Sequence, residues 1–265
     1  MALAEKLFPK PHSKLSGSYA NLGRLYLNQG RLAEAEPLLR RAVEVSEAAG
    51  DATTHDHAWR LTTLSLLDLE AERFEDAAAR LEQAVALAET TLGPAHRRTL
   101  SIRLALASAR AELRADAPLL ADVEQLLRDI GSAPTRIDAL LLAARLQAQQ
   151  GQATNAAQTL EEARVLNAAS KPASPDLAPR RALEARALLA LGQREAARSA
   201  FLDAASDFES SGRASHPGRG RSLLQAALLL PVDDPERARL AAAARSILLE
   251  KLKPPAPSLT LLDKR

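Results

Sequence analysis

An all-α fold, a right-handed α-solenoid of about six helix-turn-helix repeats, is predicted by three features of this sequence: its composition, a small-residue position that recurs along the chain, and repeated connectors. Aromatic residues make up only 3% of the 265 residues. Alanine supplies roughly a fifth, and Leu, Arg, Glu and Gln dominate the rest, all strong helix formers. Ala35 has counterparts at Ala77, Leu119, Ala156, Ala197 and Ala238, a spacing of about 40 residues. A period of that size signals a stack of supersecondary units, each too small to bury its own apolar face.

Each unit reads as two amphipathic helices around a tight turn. In the first, Ser16 to Gln29 and Leu32 to Ala48 flank Gly30, and Gly151 and Gly192 repeat that turn. In the sixth, Pro231-Val232-Asp233 makes the turn, and Asp234-Pro235 supplies an N-cap followed by proline at the first helical position. Small residues on the first helices, Gly23, Ala107, Ala144 and Ala185, are expected to face Ala35, Ala77, Ala156 and Ala197 and let the helix axes approach to about 8 Å. The units lie near residues 16–50, 58–92, 97–131, 134–169, 177–211 and 219–252, and residues 253–265 form a Pro-rich tail. Residues 1–15 read as the end of a preceding helix plus a connector. Ala2-Leu3-Ala4-Glu5 matches Ala86-Leu87-Ala88-Glu89, two repeat periods later, so the chain is expected to begin inside a repeat of a longer array.

The spacing Tyr19, Leu22, Gly23, Tyr26, then Gly30, Ala35, Leu39 and Ala42, resembles the tetratricopeptide repeat. The connectors Leu92-Gly93-Pro94-Ala95-His96 and Phe8-Pro9-Lys10-Pro11-His12, with Ala35-Glu36-Pro37-Leu38-Leu39-Arg40-Arg41-Ala42, resemble the kinesin-light-chain type of that repeat. The resemblance implies a protein or peptide partner on the concave face. It also implies paired asparagines on the first helices, of which only Asn21 remains; Thr62-Thr63, Leu104-Ala105, Leu141-Leu142 and Ala182-Leu183 fill the matching places. The segment Leu230-Pro231-Val232-Asp233-Asp234-Pro235 and its continuation to Leu240 resembles repeat regions that follow the catalytic domain of bacterial serine/threonine kinases. The alternative function is therefore a regulatory or sensor region of a larger signalling protein.

Composition narrows the chemistry. Cysteine is absent, removing disulfides, thiolate catalysis and Cys-ligated zinc. Lys+Arg number 35 against 33 Asp+Glu, too even a balance for a nucleic-acid-binding field. The apolar run Ser222 to Val232 is short and broken by Pro231, and no segment approaches the length a membrane helix needs, so no membrane insertion is expected and the cytoplasm is the default location. No phosphate loop, nucleophile elbow or cofactor motif is present, and the expected role is non-enzymatic. His55-Asp56-His57 has metal-ligand residue types, but His55 belongs to the connector series of His12, His96 and His216, where a capping or loop role fits better.

The candidate partner-binding residues on the concave face are Asn21, Arg24, Asn28, Trp59, Thr63, Arg145 and Arg186. Arg24, Arg145 and Arg186 share one phase of the first helix and suit acidic side chains; the competing reading is the chain's general preference for arginine over lysine. Trp59 fits either a binding hot spot or packing between adjacent first helices.

Overall fold

The computed structural model describes residues 12–131, 133–170 and 174–262. Among them are thirteen helices and no strand. Six helix-turn-helix pairs follow one another along the chain: α1 (Ser13–Asn28) with α2 (Leu32–Ala48), α3 (His55–Glu70) with α4 (Phe74–Leu92), α5 (Arg97–Leu113) with α6 (Ala117–Asp129), α7 (Ala133–Gln149) with α8 (Ala153–Ser170), α9 (Ser174–Ala190) with α10 (Arg194–Ser210), and α11 (Pro217–Leu228) with α12 (Pro235–Lys251). A short α13 (Pro257–Leu262) lies in the Pro-rich tail. The expected end of a preceding helix, residues 2–7, lies outside the described residues.

The turns explain the repeat length. Three residues join the two helices in each of the first five pairs, and six join them in the last. In the first, fourth and fifth pairs the residue two before the second helix takes a left-handed conformation: Gly30 at φ 72°, Gly151 at 78° and Gly192 at 75°. Glycine is the low-cost occupant of that region. The second pair departs, placing Glu72 there at φ 59°, a conformation that costs a side-chain-bearing residue about 1 kcal/mol or more.

Histidines start three helices. His12, His96 and His216 each accept, through Nδ1, the backbone N–H of the residue two further on, Lys14, Arg98 and Gly218, at 3.0, 3.2 and 3.0 Å. The side chain thereby satisfies one of the donors a helix start leaves unpaired. His55 does not share this role. Thr54 caps α3 by accepting from the His57 amide, and His55 occupies the first helical position.

Two units divide the chain, one ending at Ala109 and one beginning at Arg110. In the first, Leu15, Tyr19, Ala20, Ala42 and Val45 join α1 to α2. A second cluster joins α3 and α4 to the start of α5 through Leu61, Leu81, Ala84, Ile102 and Leu106. In the second unit, Ile137, Leu141, Leu160, Leu188 and Ala197 tie α7 and α8 to α9 and α10. Phe208 stacks on His216 at 4.8 Å and carries the packing towards α11.

A Cβ on Gly23 would lie 2.6 Å from Leu39 Cδ2 and 3.3 Å from Leu38 Cβ, so Gly23 makes room for leucines. One expectation about small residues needs correction. Ala238 is exposed; α12 instead buries Leu240, Ala244, Ile247 and Leu248. The longer turn before α12 changes which face of that helix meets its partner.

Candidate functional site: the face of the first helices

The helical period gives Arg145 on α7 and Arg186 on α9 one phase, each standing at the same sequence separation before the second helix of its pair, at Ala153 and Arg194. Their side chains converge on one carboxylate. Arg145 Nη1 and Arg186 Nη1 each donate to Glu112 Oε1 at 2.6 Å, and Arg145 Nη2 also donates to the Ala111 carbonyl at 3.3 Å. Burial alone would push the Glu112 carboxyl up, but the two guanidiniums outweigh it and hold the carboxyl below its ordinary range. Burial lowers Arg186, with Arg145 and Arg221 adding to the effect against the pull of Glu112. Two arginines sharing one carboxylate leave a positive excess.

In the first unit, Arg24 on α1 has the same phase, measured from Leu32. Its guanidinium lies 5.8 Å from the ring centroid of half-buried Trp59, a cation–π contact between adjacent first helices. Asn21, Arg24 and Asn28 are exposed along one face of α1. Thr63 is not: it is 1% exposed and its hydroxyl donates to the Trp59 carbonyl at 2.9 Å, so it cannot reach a partner. His57 turns inward to Ser46, Nδ1 to Oγ 3.0 Å, while His55 stays exposed. The two imidazoles of the His55-Asp56-His57 segment thus point apart.

Three groups of charged residues escape the sequence reading. Glu112 is one. Asp68, 1% exposed, is a second: Arg73 Nε and Nη2 donate to Oδ1 at 2.9 and 2.7 Å, Arg80 donates to Oδ2, and Arg73 reaches Glu36 at 3.2 Å. Burial pushes Asp68 up, against the pull of Arg73 and Arg80. The network ties α2, α3 and α4 together. The third is a pair of buried arginines, Arg60 on α3 and Arg180 on α9, which fall at one position when their pairs are aligned on Phe74 and Arg194. That shared spacing is visible in the sequence, and the Leu- and Ala-rich lines around it hide it.

Helix pairs with a cation-bearing first-helix face define a helical repeat protein, and comparison with known proteins agrees. The tetratricopeptide repeat family model matches residues 15–90, which span the first two pairs. The crystal structure of a point variant of a Podosopora anserina protein designated a kinesin light chain, with nearly identical TPR-like repeats, is similar at a TM-score of 0.55 and 23% identity, covering 78% of this chain and 99% of that one. The same Podosopora anserina protein without that substitution is similar at a TM-score of 0.54 and 23% identity, covering 77% of this chain and 99% of that one. A Rap protein complexed with competence and sporulation factor is similar at a TM-score of 0.62 and 14% identity, covering 88% of this chain and 67% of that one. No curated protein matches the chain. The fold is a tetratricopeptide-type helical repeat, a kind that commonly serves as a protein-interaction scaffold.

Proposed function

We propose that this chain is a protein-interaction module that holds an acidic polypeptide segment against its first helices and catalyses no reaction. The observation that carries the reading is the shared carboxylate: Arg145 and Arg186 divide Glu112 between them. Excess positive charge on successive first helices favours acidic side chains and disfavours basic ones. Exposed Asn21, Arg24 and Asn28 offer hydrogen-bond donors on α1 for the same kind of segment. The Rap protein, similar in fold, is a precedent for a repeat array with a bound factor.

The test compares a fluorescent glutamate-rich peptide with a lysine-rich one of equal length. Only the acidic peptide should bind, and its affinity should fall with added salt. Arg145→Gln combined with Arg186→Gln should weaken it about tenfold while the helical circular dichroism persists. Equal binding of both peptides, or unchanged affinity in the double variant, would remove the reading.

A further inference from the structure

A buried arginine with donors left over points to a second site. Arg60 is 7% exposed, and only one of its nitrogens has an acceptor: Nη2 donates to the Ser13 carbonyl at 3.4 Å, at the limit of a hydrogen bond. Nε and Nη1 are buried with no partner. Among the described residues no carboxylate forms an ion pair with it. Buried guanidinium donors without acceptors are costly and rare, and such a group is where a ligand's acceptors are expected.

The second unit shows what the arrangement takes when complete. Arg180 has the phase of Arg60, and it too reaches the start of the preceding first helix, Nη2 donating to the Pro134 carbonyl at 3.3 Å. Arg180 is otherwise satisfied: Nε donates to Asp138 Oδ1 at 2.9 Å and Nη1 to Asn167 Oδ1 at 3.3 Å. Aligning the first and fourth pairs on the starts of their second helices, Leu32 and Ala153, sets Ser13 opposite Pro134 and Gly17 opposite Asp138. The same alignment sets Ser46, whose hydroxyl is engaged with His57, opposite Asn167. Gly17 therefore removes the carboxylate and Ser46 the amide. Gly17 is half-buried, and a Cβ added to it would meet nothing within 4 Å.

We propose that Arg60 is a carboxylate receptor, and that the ligand's carboxylate enters over Gly17 to take the place that Asp138 fills beside Arg180. The ligand class is a single carboxylate, from an acidic side chain of a polypeptide or from a small organic acid. Nε and Nη1 would donate to its oxygens, a charge-assisted arrangement that a guanidinium suits better than an ammonium. None of these residues belongs to the Glu112 cluster, so the site stands or falls separately from the acidic-segment reading.

Thermal unfolding with sodium acetate against sodium chloride at equal concentration is the test, applied to the full chain and three variants. Acetate should raise the melting temperature beyond chloride in the wild-type chain and in Gly17→Ala, because a ligand of the folded state stabilises it. Arg60→Met and Gly17→Asp should lose that difference, the first by removing the receptor and the second by filling it. A blocked peptide with one glutamate among alanines and glycines separates the sources. Stabilisation at lower concentration than acetate assigns the carboxylate to a polypeptide; stabilisation by acetate alone assigns it to a small acid; both support the site. Identical behaviour of acetate and chloride in the wild type, or an acetate effect that survives in Arg60→Met, would overturn it.

Discussion

Arg60 and Arg180 occupy one position of the repeat and reach the same backbone carbonyl position, yet one is nearly unpartnered and the other has three acceptors. The difference arises at two other positions, Gly17 against Asp138 and Ser46 against Asn167. Repetition of backbone geometry therefore does not carry repetition of polar satisfaction. A helix pair fixes where a side chain points; only the neighbouring sequence decides whether anything receives it.

The largest effect expected from this contrast is at the satisfied site. Arg180→Met takes the guanidinium away from Asp138 and Asn167, and because the Asp138 side chain is 40% exposed, water recovers part of the loss. A destabilisation of about 2 kcal/mol by urea unfolding is expected, below the range for fully buried pairs. Next comes Gly17→Asp, which should stabilise by about 1–2 kcal/mol, combining relief of helix-interior glycine with a partner for Arg60. If Gly17→Ala gains as much, the equivalence of Gly17 and Asp138 fails. Arg60→Met should be neutral or stabilising by about 1 kcal/mol, the opposite sign to Arg180→Met, since it removes donors that nothing accepts. A clear loss of stability would show that Arg60 already has a partner in the folded chain.

The smallest effect is a pH dependence. His57 holds the repeat position that Leu177 holds in the fifth pair, with the two pairs aligned on Phe74 and Arg194. Burial is the main cause of its depressed pKa, with Arg60 adding and Glu47 and Asp51 opposing, from an ordinary value of 6.5. The unfolded chain therefore takes up the proton before the folded one. Stability attributable to His57 is fully present above pH 6.5 and falls as the pH drops from there through the lowered folded value. His57→Leu should flatten that part of the stability profile; an unchanged slope would assign it to other groups.

The helix pairs and their turns are legible in the sequence because alanine spacing and left-handed glycines depend on local sequence alone. Gly30, Gly151 and Gly192 mark turns, whereas Glu72 hides one behind a residue that rarely takes that conformation. The phase of Arg24, Arg145 and Arg186 is also legible. Their partners are not: Glu112 comes from a helix two pairs before that of Arg186, and a helical period says which way an arginine points without saying what it meets. Thr63 illustrates the same limit, since the period of its own helix does not reveal its burial.

Glu112 lies at the end of the first helix of the third pair, and its two arginines come from the fourth and fifth. An array whose units touch only their neighbours unfolds as a one-dimensional chain of nearest-neighbour couplings. The Glu112–Arg186 contact adds a coupling that skips a unit, so the third pair senses the folding of the fifth directly. Separation of this stretch into independently melting pairs is thereby opposed, and its apparent folding unit is lengthened to at least three pairs.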